Sequence, residues 1–225
     1  MKLDVIYNED CLEGMKKLPD KTIDLIITDM PYGVSIKKPN HTYMVGDHIN
    51  IFPVVLPLFY RVLKDDGAIF IFSSTSKLHE FLIQFQVYFK LHNILIWDKI
   101  RSLYPHSKAH FRMQYEMIMY GSKGLHHLKN KKGSDIIQER IPAGKKRVHP
   151  TQKPEELIIE ILKSTQESKQ LILDPFMGSG TTAVACKRLG RHYIGFEINP
   201  DYCKIANQRL EAEETLWDRK EVAHG

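Results

Sequence analysis

The sequence contains no hydrophobic run long enough to cross a membrane. A membrane-spanning helix needs roughly 20 consecutive apolar residues, and no apolar run among these 225 residues approaches that length. The opening residues, MKLDVIYNED, also lack the basic stretch followed by an apolar stretch that marks a secretory leader. We therefore expect a soluble, cytoplasmic chain with no membrane partner and, at this length, a single domain.

Cysteine is scarce as well. The 3 cysteines, Cys11, Cys186 and Cys203, are odd in number and lack the CxxC or Cys/His spacing of a metal site. A disulfide framework is therefore excluded, and we expect reduced thiols and no bound metal.

Positive charge is concentrated in one segment. The whole chain has a formal net charge of +5, whereas residues 99–148 contain 12 Lys or Arg against 3 acids, a local net charge of +9. Aromatic residues such as Tyr104 and Phe111 interrupt this segment. A basic stretch broken by aromatics is typical of a surface that binds nucleic-acid phosphates.

Short apolar runs alternate with helix-like stretches along most of the chain. Continuous apolar runs predict buried strands at Val5–Tyr7, Ile23–Thr28, Ala68–Ser73, Asn93–Trp97, Glu116–Tyr120, Leu171–Leu173 and Tyr193–Phe196. The intervening stretches predict helices at Leu12–Leu18, Ile51–Lys64, Lys77–Lys90, Glu155–Lys163, Thr181–Leu189 and Pro200–Glu214, the last capped by Asn199. This alternation predicts an α/β fold, a doubly wound and mainly parallel sheet of seven strands.

A glycine loop follows the sixth predicted strand. The run LILDPFMGSGTTAVA, Leu171 to Ala185, combines a strand, an acid at its end, a glycine turn and a helix. Such a loop lets the backbone approach a nucleotide-like ligand, and Glu197 ends the next strand, where an acid can bind ribose hydroxyls. Gly178, Gly180 and Ala183 also fit the dinucleotide pattern GxGxxA, so the loop alone leaves NAD open as the cofactor.

A second cluster of functional residue types stands at the end of a predicted strand. The run Ile23–Thr28 ends in Asp29-Met30-Pro31-Tyr32, a carboxylate, a constrained turn and an aromatic ring. In open α/β sheets, ligands bind at this carboxyl edge.

Four motifs together resemble one family, the amino-methylating DNA methyltransferases. The catalytic motif of that family reads Asp-Pro-Pro-Tyr, and its cofactor loop reads Phe-x-Gly-x-Gly. The corresponding residues here are Asp29-Met30-Pro31-Tyr32 and Phe176-Met177-Gly178-Ser179-Gly180, in the circularly permuted order of the family's β group. The stretches Asn8–Glu13 and His149–Pro154 resemble two further motifs of that group.

The resemblance implies S-adenosylmethionine as the cofactor and a role for each matching residue. Asp29, Met30, Pro31 and Tyr32 are the implied catalytic residues, with the Met30 carbonyl acting where the family has a proline. In the implied cofactor site, Asp10 and the backbone of Cys11 hold adenine, and Glu197 holds ribose. The methionine part is held by Thr151, Gln152 and Lys153 together with the loop residues Phe176, Gly178, Ser179, Gly180 and Thr181. Asp174 is a further implied cofactor-binding residue.

The resemblance also implies double-stranded DNA as the substrate and adenine N6 as the methylated atom. The residues expected to contact DNA are all basic: Arg101, Lys108, Arg112, Lys129, Lys131, Lys132, Lys145, Lys146 and Arg147. We interpret residues from about 100 to 148 as a target-recognition insertion. A homodimer, a cognate restriction endonuclease and a bacterial, archaeal or phage-infected host cell are further implications.

Three alternatives remain open at this level. Methylation of cytosine N4 uses the same fold and chemistry, although that branch more often has Ser in place of Asp29. A nicotinamide-dependent oxidoreductase needs the glycine loop but not Asp29 and Tyr32. A non-catalytic DNA-binding module needs only the basic segment.

Overall fold

A computed structural model describes residues 1–31, 50–101, 111–129, 133–142, 152–165 and 170–222, with side chains described through residue 213. The helices are α1 (Cys11–Lys16), α2 (Phe52–Val62), α3 (Leu78–Tyr88), α4 (Glu155–Ser164), α5 (Thr181–Arg188) and α6 (Pro200–Val222). The strands are β1 (Val5–Tyr7), β2 (Ile23–Thr28), β3 (Leu63–Ser73), β4 (Lys90–Asp98), β5 (Tyr115–Ser122), β6 (Ile136–Gln138), β7 (Leu171–Asp174) and β8 (His192–Phe196). Within these residues, no helix combines the length and hydrophobicity that crossing a membrane requires.

All eight strands form one sheet in the order β1-β8-β7-β2-β3-β5-β4-β6. The five strands from β1 to β3 are parallel to one another, and β5 runs antiparallel to both of its neighbours, β3 and β4. Since β4 therefore runs in the same direction as β3, the end of β4 and the start of β5 lie at the edge where the parallel strands end. Trp97 pairs with Glu116 at this edge.

Helices cover both faces of the sheet. On one face, α1, α2 and α3 pack against alternate strand residues such as Ile26, Ile69 and Phe196. On the other face, α4, α5 and α6 pack against residues such as Leu25 and Phe70. Because both faces are covered, the central strands are buried along their length, which explains why their sequences are continuously apolar.

The structure confirms the predicted fold class and the six helices, but the described residues form eight strands rather than seven. The additional strand, β6, lies within the basic segment and pairs in parallel with β4 through Ile96 and Ile136. β6 has only two apolar residues, Ile136 and Ile137, within a polar, basic stretch, so no strand pattern marks it in the sequence. The basic segment also contains β5, which is an integral strand of the sheet.

Asp24 connects three strands at the edge opposite the glycine loop. Its Oδ1 lies 2.6 Å from Nζ of Lys64, at the start of β3, and its Oδ2 accepts a 2.8 Å hydrogen bond from the backbone N–H of Leu171, at the start of β7. The Leu171 N–H lies at the start of a buried strand. Asp24 is therefore the acceptor that lets β7 begin beside β2.

Replacing Asp24 with Ala should lower the free energy of unfolding by about 1 to 3 kcal/mol, because it leaves the Leu171 N–H without its acceptor. Urea denaturation followed by circular dichroism measures this loss. Asp20→Ala is the control, since Asp20 is exposed and pairs with Arg61 at 2.6 Å, and loss of an exposed pair costs about 0 to 1 kcal/mol. Equal losses in the two variants would show that the contact with Leu171 contributes nothing.

Candidate active site

The acidic residues that the sequence singles out lie at one edge of the sheet. Asp29 follows β2, Asp174 ends β7, and Glu197 follows β8. Strands β2 and β7 are neighbours, but the chain continues from β2 to β3 on one side and from β7 to β8 on the other. This divergence is a topological switch point, where open α/β sheets form a ligand-binding crevice.

At the switch point, the carboxylate of Asp29 forms an ion pair and hydrogen bond with Nζ of Lys153. Asp29 is partly buried, and the side chain of Met30, 1% exposed, packs into the core beneath α1 and α2. Packing of Met30 fixes the backbone beside Asp29, as a proline there would also do. Pro31 completes the described part of this motif, and Tyr32 lies outside the described residues.

Lys153 is largely buried and has two acidic partners. Its side chain is 11% exposed, and Nζ lies 3.3 Å from Oε2 of Glu116 as well as against Asp29. Burial by itself lowers the pKa of Lys153, but the carboxylates of Asp29 and Glu116 outweigh burial and raise the pKa above its ordinary value. Lys153 is therefore a fixed positive charge at the switch point.

The glycine loop is shaped by two left-handed residues. Gly178 and Gly180 have φ angles of 55° and 84°, which side chains other than hydrogen rarely allow. A Cβ at Gly180 would also lie 2.7 Å from Cβ of Ala206 on α6. A Cβ at Gly178 would meet no atom closer than 3.9 Å, so the loop backbone there is open to an approaching ligand.

Asp174 organises this loop from within. Its Oδ1 accepts a 3.1 Å hydrogen bond from the Phe176 N–H, and its Oδ2 accepts a 2.6 Å hydrogen bond from the Thr182 hydroxyl. Burial raises the pKa of Asp174 to about 7. Asp174 thus ties the start of the loop to the first turn of α5.

Glu197 connects the glycine loop to the end of β8. Its Oε2 accepts a 2.8 Å hydrogen bond from the Gly178 N–H, and its Oε1 accepts a 2.7 Å hydrogen bond from the Asn199 N–H. Burial raises the pKa of Glu197. Each carboxylate oxygen has further lone pairs, so Glu197 remains able to accept hydrogen bonds from hydroxyl groups.

Asp10 and Cys11 lie at the start of α1, after β1, the neighbour of β8. Oδ1 of Asp10 caps the helix by accepting a 2.7 Å hydrogen bond from the Leu12 N–H. The Cys11 side chain is buried, and burial raises the pKa of its thiol to about 12. Cys11 is thus a neutral thiol, and the neighbouring strands β1 and β8 bring Asp10 and Glu197 to the same edge.

Two residues that sequence reasoning missed join the parts of the site. The Arg209 guanidinium donates to the Ser179 and Thr181 hydroxyls, at 3.2 and 3.3 Å, and to Oε1 of Glu155 at 2.6 Å. Arg209 therefore links the glycine loop to α4, which begins two residues after Lys153. Glu116 forms ion pairs with both Lys153 and Lys99, and Nζ of Lys99 lies 2.8 Å from its Oε1. A single Arg or Glu within a long helix or a strand has no local sequence signal for these contacts.

The remaining predicted residues are only partly described. Gln152 is buried beside Lys153, whereas Thr151 lies outside the described residues. Three of the basic residues, Arg101, Arg112 and Lys129, are exposed. The other six lie outside the described residues: Lys108, Lys131, Lys132, Lys145, Lys146 and Arg147.

Arg209→Ala should weaken binding of S-adenosylmethionine, the cofactor implied by the sequence, by about 5- to 30-fold. The variant removes charge-assisted hydrogen bonds, worth roughly 1 to 2 kcal/mol, that hold the loop against α4. Isothermal titration calorimetry measures the affinity. Lys204→Ala, an exposed change on the same helix, is the control and should bind normally. Unchanged affinity in Arg209→Ala would exclude this role of the arginine.

Asp174→Asn should change how stability depends on pH. The folded pKa of Asp174, about 7, lies above the ordinary aspartate pKa of 3.8. Between these two pH values the folded state keeps a proton that the unfolded state has lost. The wild-type free energy of unfolding should therefore fall between about pH 4 and 7, by at most about 4 kcal/mol, and Asp174→Asn should lack this fall. Urea denaturation across pH 4.5 to 8 tests this, with exposed Asp201→Asn as the control; parallel pH curves for all three proteins would contradict it.

Comparison with curated proteins identifies relatives along most of the chain. Type II methyltransferase M.HinfI of Haemophilus influenzae is 29% identical over 245 aligned residues, which cover 92% of this chain and 68% of the relative. Type II methyltransferase M.BglII of Bacillus subtilis is 28% identical, with 94% of this chain and 70% of the relative covered.

Solved structures show the same architecture. The M1.HpyAVI–SAM complex is 26% identical, with a TM-score of 0.74 over 91% of this chain and 98% of that one. The PvuII DNA methyltransferase (cytosine-N4-specific) has a TM-score of 0.76 at 20% identity, over 95% of this chain and 91% of that one, which shows the fold alone. The family model for N6 and N4 methyltransferases, described as DNA methylase, matches residues 23–208 and so spans both β2 with its Asp29 motif and the glycine loop. The chain belongs to this DNA methylase family.

Proposed function

We propose that the chain methylates N6 of adenine in double-stranded DNA, with S-adenosylmethionine as the methyl donor. The observation that carries this proposal is the Asp29 carboxylate, which lies at the switch point against the buried ammonium group of Lys153. A carboxylate that must bind the N–H groups of an amine has to be an ionised acceptor.

The residues of the loop fit the proposed cofactor. Gly178 leaves room for a ligand beside the backbone, and Glu197 can accept hydrogen bonds from two ribose hydroxyls. Asp10 and Cys11 are the proposed adenine contacts. The methionine part is assigned to Phe176 to Thr181 together with Thr151 to Lys153, whereas Asp174 acts by shaping the loop.

S-adenosylmethionine would supply a methyl group bonded to a positively charged sulfur: the nitrogen bonds to the methyl carbon as the carbon–sulfur bond breaks, a neutral thioether leaves, and the methylated nitrogen loses one proton. The exocyclic amine of adenine is a poor nucleophile, because its lone pair is delocalised into the ring. The Asp29 carboxylate and the Met30 carbonyl accept hydrogen bonds from this amine and so favour the pyramidal, reactive nitrogen. The contribution of these residues is positioning and electrostatic stabilisation.

The target base has to leave the duplex to reach Asp29, since its amino group lies inside the helix. Extruding a base costs a few kcal/mol, which stacking and hydrogen bonds in the pocket offset. Tyr32 is the proposed stacking residue, and the exposed Arg101, Arg112 and Lys129 are proposed phosphate contacts. The target-recognition role of residues 100–148, a homodimer, a cognate restriction endonuclease and the host cell stay predictions.

Cytosine N4 is the second candidate target. The fold is shared with an enzyme whose name specifies cytosine N4, so the fold does not favour either base. Asp29 supports adenine, because the cytosine branch more often has Ser at that position. Membership of the DNA methylase family leaves no reason to assign a nicotinamide-dependent oxidation or a non-catalytic binding role.

Transfer of radiolabelled methyl groups from S-adenosylmethionine to mixed-sequence duplex DNA, followed by nucleoside mass spectrometry, tests the proposal. We expect N6-methyladenine. Asp29→Ala should lower kcat by about 100- to 1,000-fold, the usual effect of losing one group that stabilises a transition state, while cofactor affinity stays within about threefold. Exposed Asp66→Ala is the control. N4-methylcytosine would reassign the base, and full turnover in Asp29→Ala would remove Asp29 from the mechanism.

A further inference from the structure

The ion pair at Asp29 belongs to a longer chain of alternating charges. Starting from Asp29, the order is Asp29, Lys153, Glu116 and Lys99. Nζ of Lys153 lies 3.3 Å from Oε2 of Glu116, and Nζ of Lys99 lies 2.8 Å from Oε1 of the same carboxylate. The four residues come from the end of β2, the segment before α4, the start of β5 and the end of β4.

These charges are largely removed from water. The Lys99 side chain is 3% exposed, Lys153 is 11% exposed, and Glu116 is 27% exposed. Burying a charge costs several kcal/mol unless an opposite charge lies beside it. Each of the two ammonium groups therefore depends on Glu116, which is the only acid in the described part of the chain that forms ion pairs with both.

Aromatic rings fix the ammonium groups in place. Nζ of Lys153 lies 5.0 Å from the centre of the Phe72 ring, and Nζ of Lys99 lies 5.3 Å from that of Trp97. Both distances are within the range of cation–π attraction. The lysines thus have defined positions, with Glu116 between them.

Sharing of Lys153 between two carboxylates affects Asp29 directly. If Asp29 were the sole partner of Lys153, the ammonium charge would offset the whole negative charge of Asp29. With Glu116 as a second partner, the ammonium charge of Lys153 is shared by two carboxylates, while Lys99 offsets the charge of Glu116 from its other side. Asp29 therefore keeps part of its negative charge at the crevice, and that charge attracts the amine as it gains positive charge during methyl transfer.

We propose that Glu116 is a positioning residue for methyl transfer: it holds the Lys153 ammonium group in place and shares its charge, so that Asp29 stays oriented and negative toward the target amine. Lys99 neutralises the other oxygen of Glu116. This inference rests on the proposed role of Asp29 and adds residues that the catalytic motif does not contain. Glu116 itself does not touch the substrate.

Glu116→Gln should lower kcat for DNA methylation by about 10- to 100-fold, with KM for S-adenosylmethionine and for DNA within about threefold of wild type. Glu116→Asp should restore at least part of kcat, because it keeps the charge. Glu160→Gln is the matched control, since Glu160 forms a surface pair with Lys163 at 3.3 Å. Steady-state kinetics on purified full-length variants measures these constants.

A double variant separates positioning from a structural role. If Glu116 serves only to neutralise Lys99, then Lys99→Met combined with Glu116→Gln should regain wild-type kcat. If Glu116 acts through Lys153, the double variant should stay as slow as Glu116→Gln. The double variant also keeps the test open if Glu116→Gln alone fails to fold, because it removes the buried ammonium group that pairs with Glu116.

The pH profile of kcat gives an independent readout. Removing one of two carboxylates beside Lys153 lowers the pKa of this lysine, so the alkaline loss of activity should begin at lower pH in Glu116→Gln. The charged groups facing Lys153 are Asp29 and Glu116, with Lys99 beyond Glu116. Asp174 faces Asp29 from β7 and titrates in both proteins, so its effect is common to the two profiles.

Failure of the positioning role of Glu116 and failure of the proposed methyltransferase function would give different results. A wild-type protein that transfers no methyl group to DNA would refute the proposed function itself. Inactive Asp29→Ala together with normal kcat in Glu116→Gln, or recovery of kcat in the double variant, would refute the positioning role alone. A kcat defect without recovery, with the alkaline limb displaced to lower pH, is the result we expect.

Discussion

The shared direction of strands β1, β8, β7, β2 and β3 is the constraint on which the site depends. Because these strands are parallel, their carboxyl ends meet at one edge, and each ends in or before an acidic or polar residue. The divergence of the chain between β2 and β7 opens that edge for a ligand. Asp29 and Glu197 face the same crevice for this reason, although 168 positions separate them in the chain (197 − 29).

Buried charge couples the site to the stability of the fold. Lys153 and Lys99 can be buried only because Asp29 and Glu116 lie beside them. The Arg209 guanidinium likewise pairs with the Glu155 carboxylate. Arg209 also donates hydrogen bonds to the Ser179 and Thr181 hydroxyls of the glycine loop. These contacts join the ends of β2, β4 and β5 to one another, and the glycine loop to α4 and α6.

The bounds of some elements were predicted from the sequence, and those of others were not. β2 begins and ends at the predicted residues, because the continuous run Ile23–Thr28 is buried on both faces and is closed by the Asp29 motif. Asn199 caps α6 as predicted, through a 2.9 Å hydrogen bond from the Asp201 N–H. β3 begins at Leu63, which pairs with Ile23, before the predicted start at Ala68. The residues between them include polar Asp65 and Asp66, so no apolar run marks this part of the strand.

By itself, the sequence determined the alternation of strands and helices, the α/β class, the two motifs and their permuted order, since these are written in local periodicity and in short runs of specific residues. Only the tertiary structure decided that Lys153 pairs with Asp29 across 124 positions, that Glu116 lies between two lysines, and that Arg209 holds the glycine loop. The reason is physical: hydrophobic periodicity is a local property of the chain, whereas the pairing of buried charges depends on which strand ends the sheet brings together.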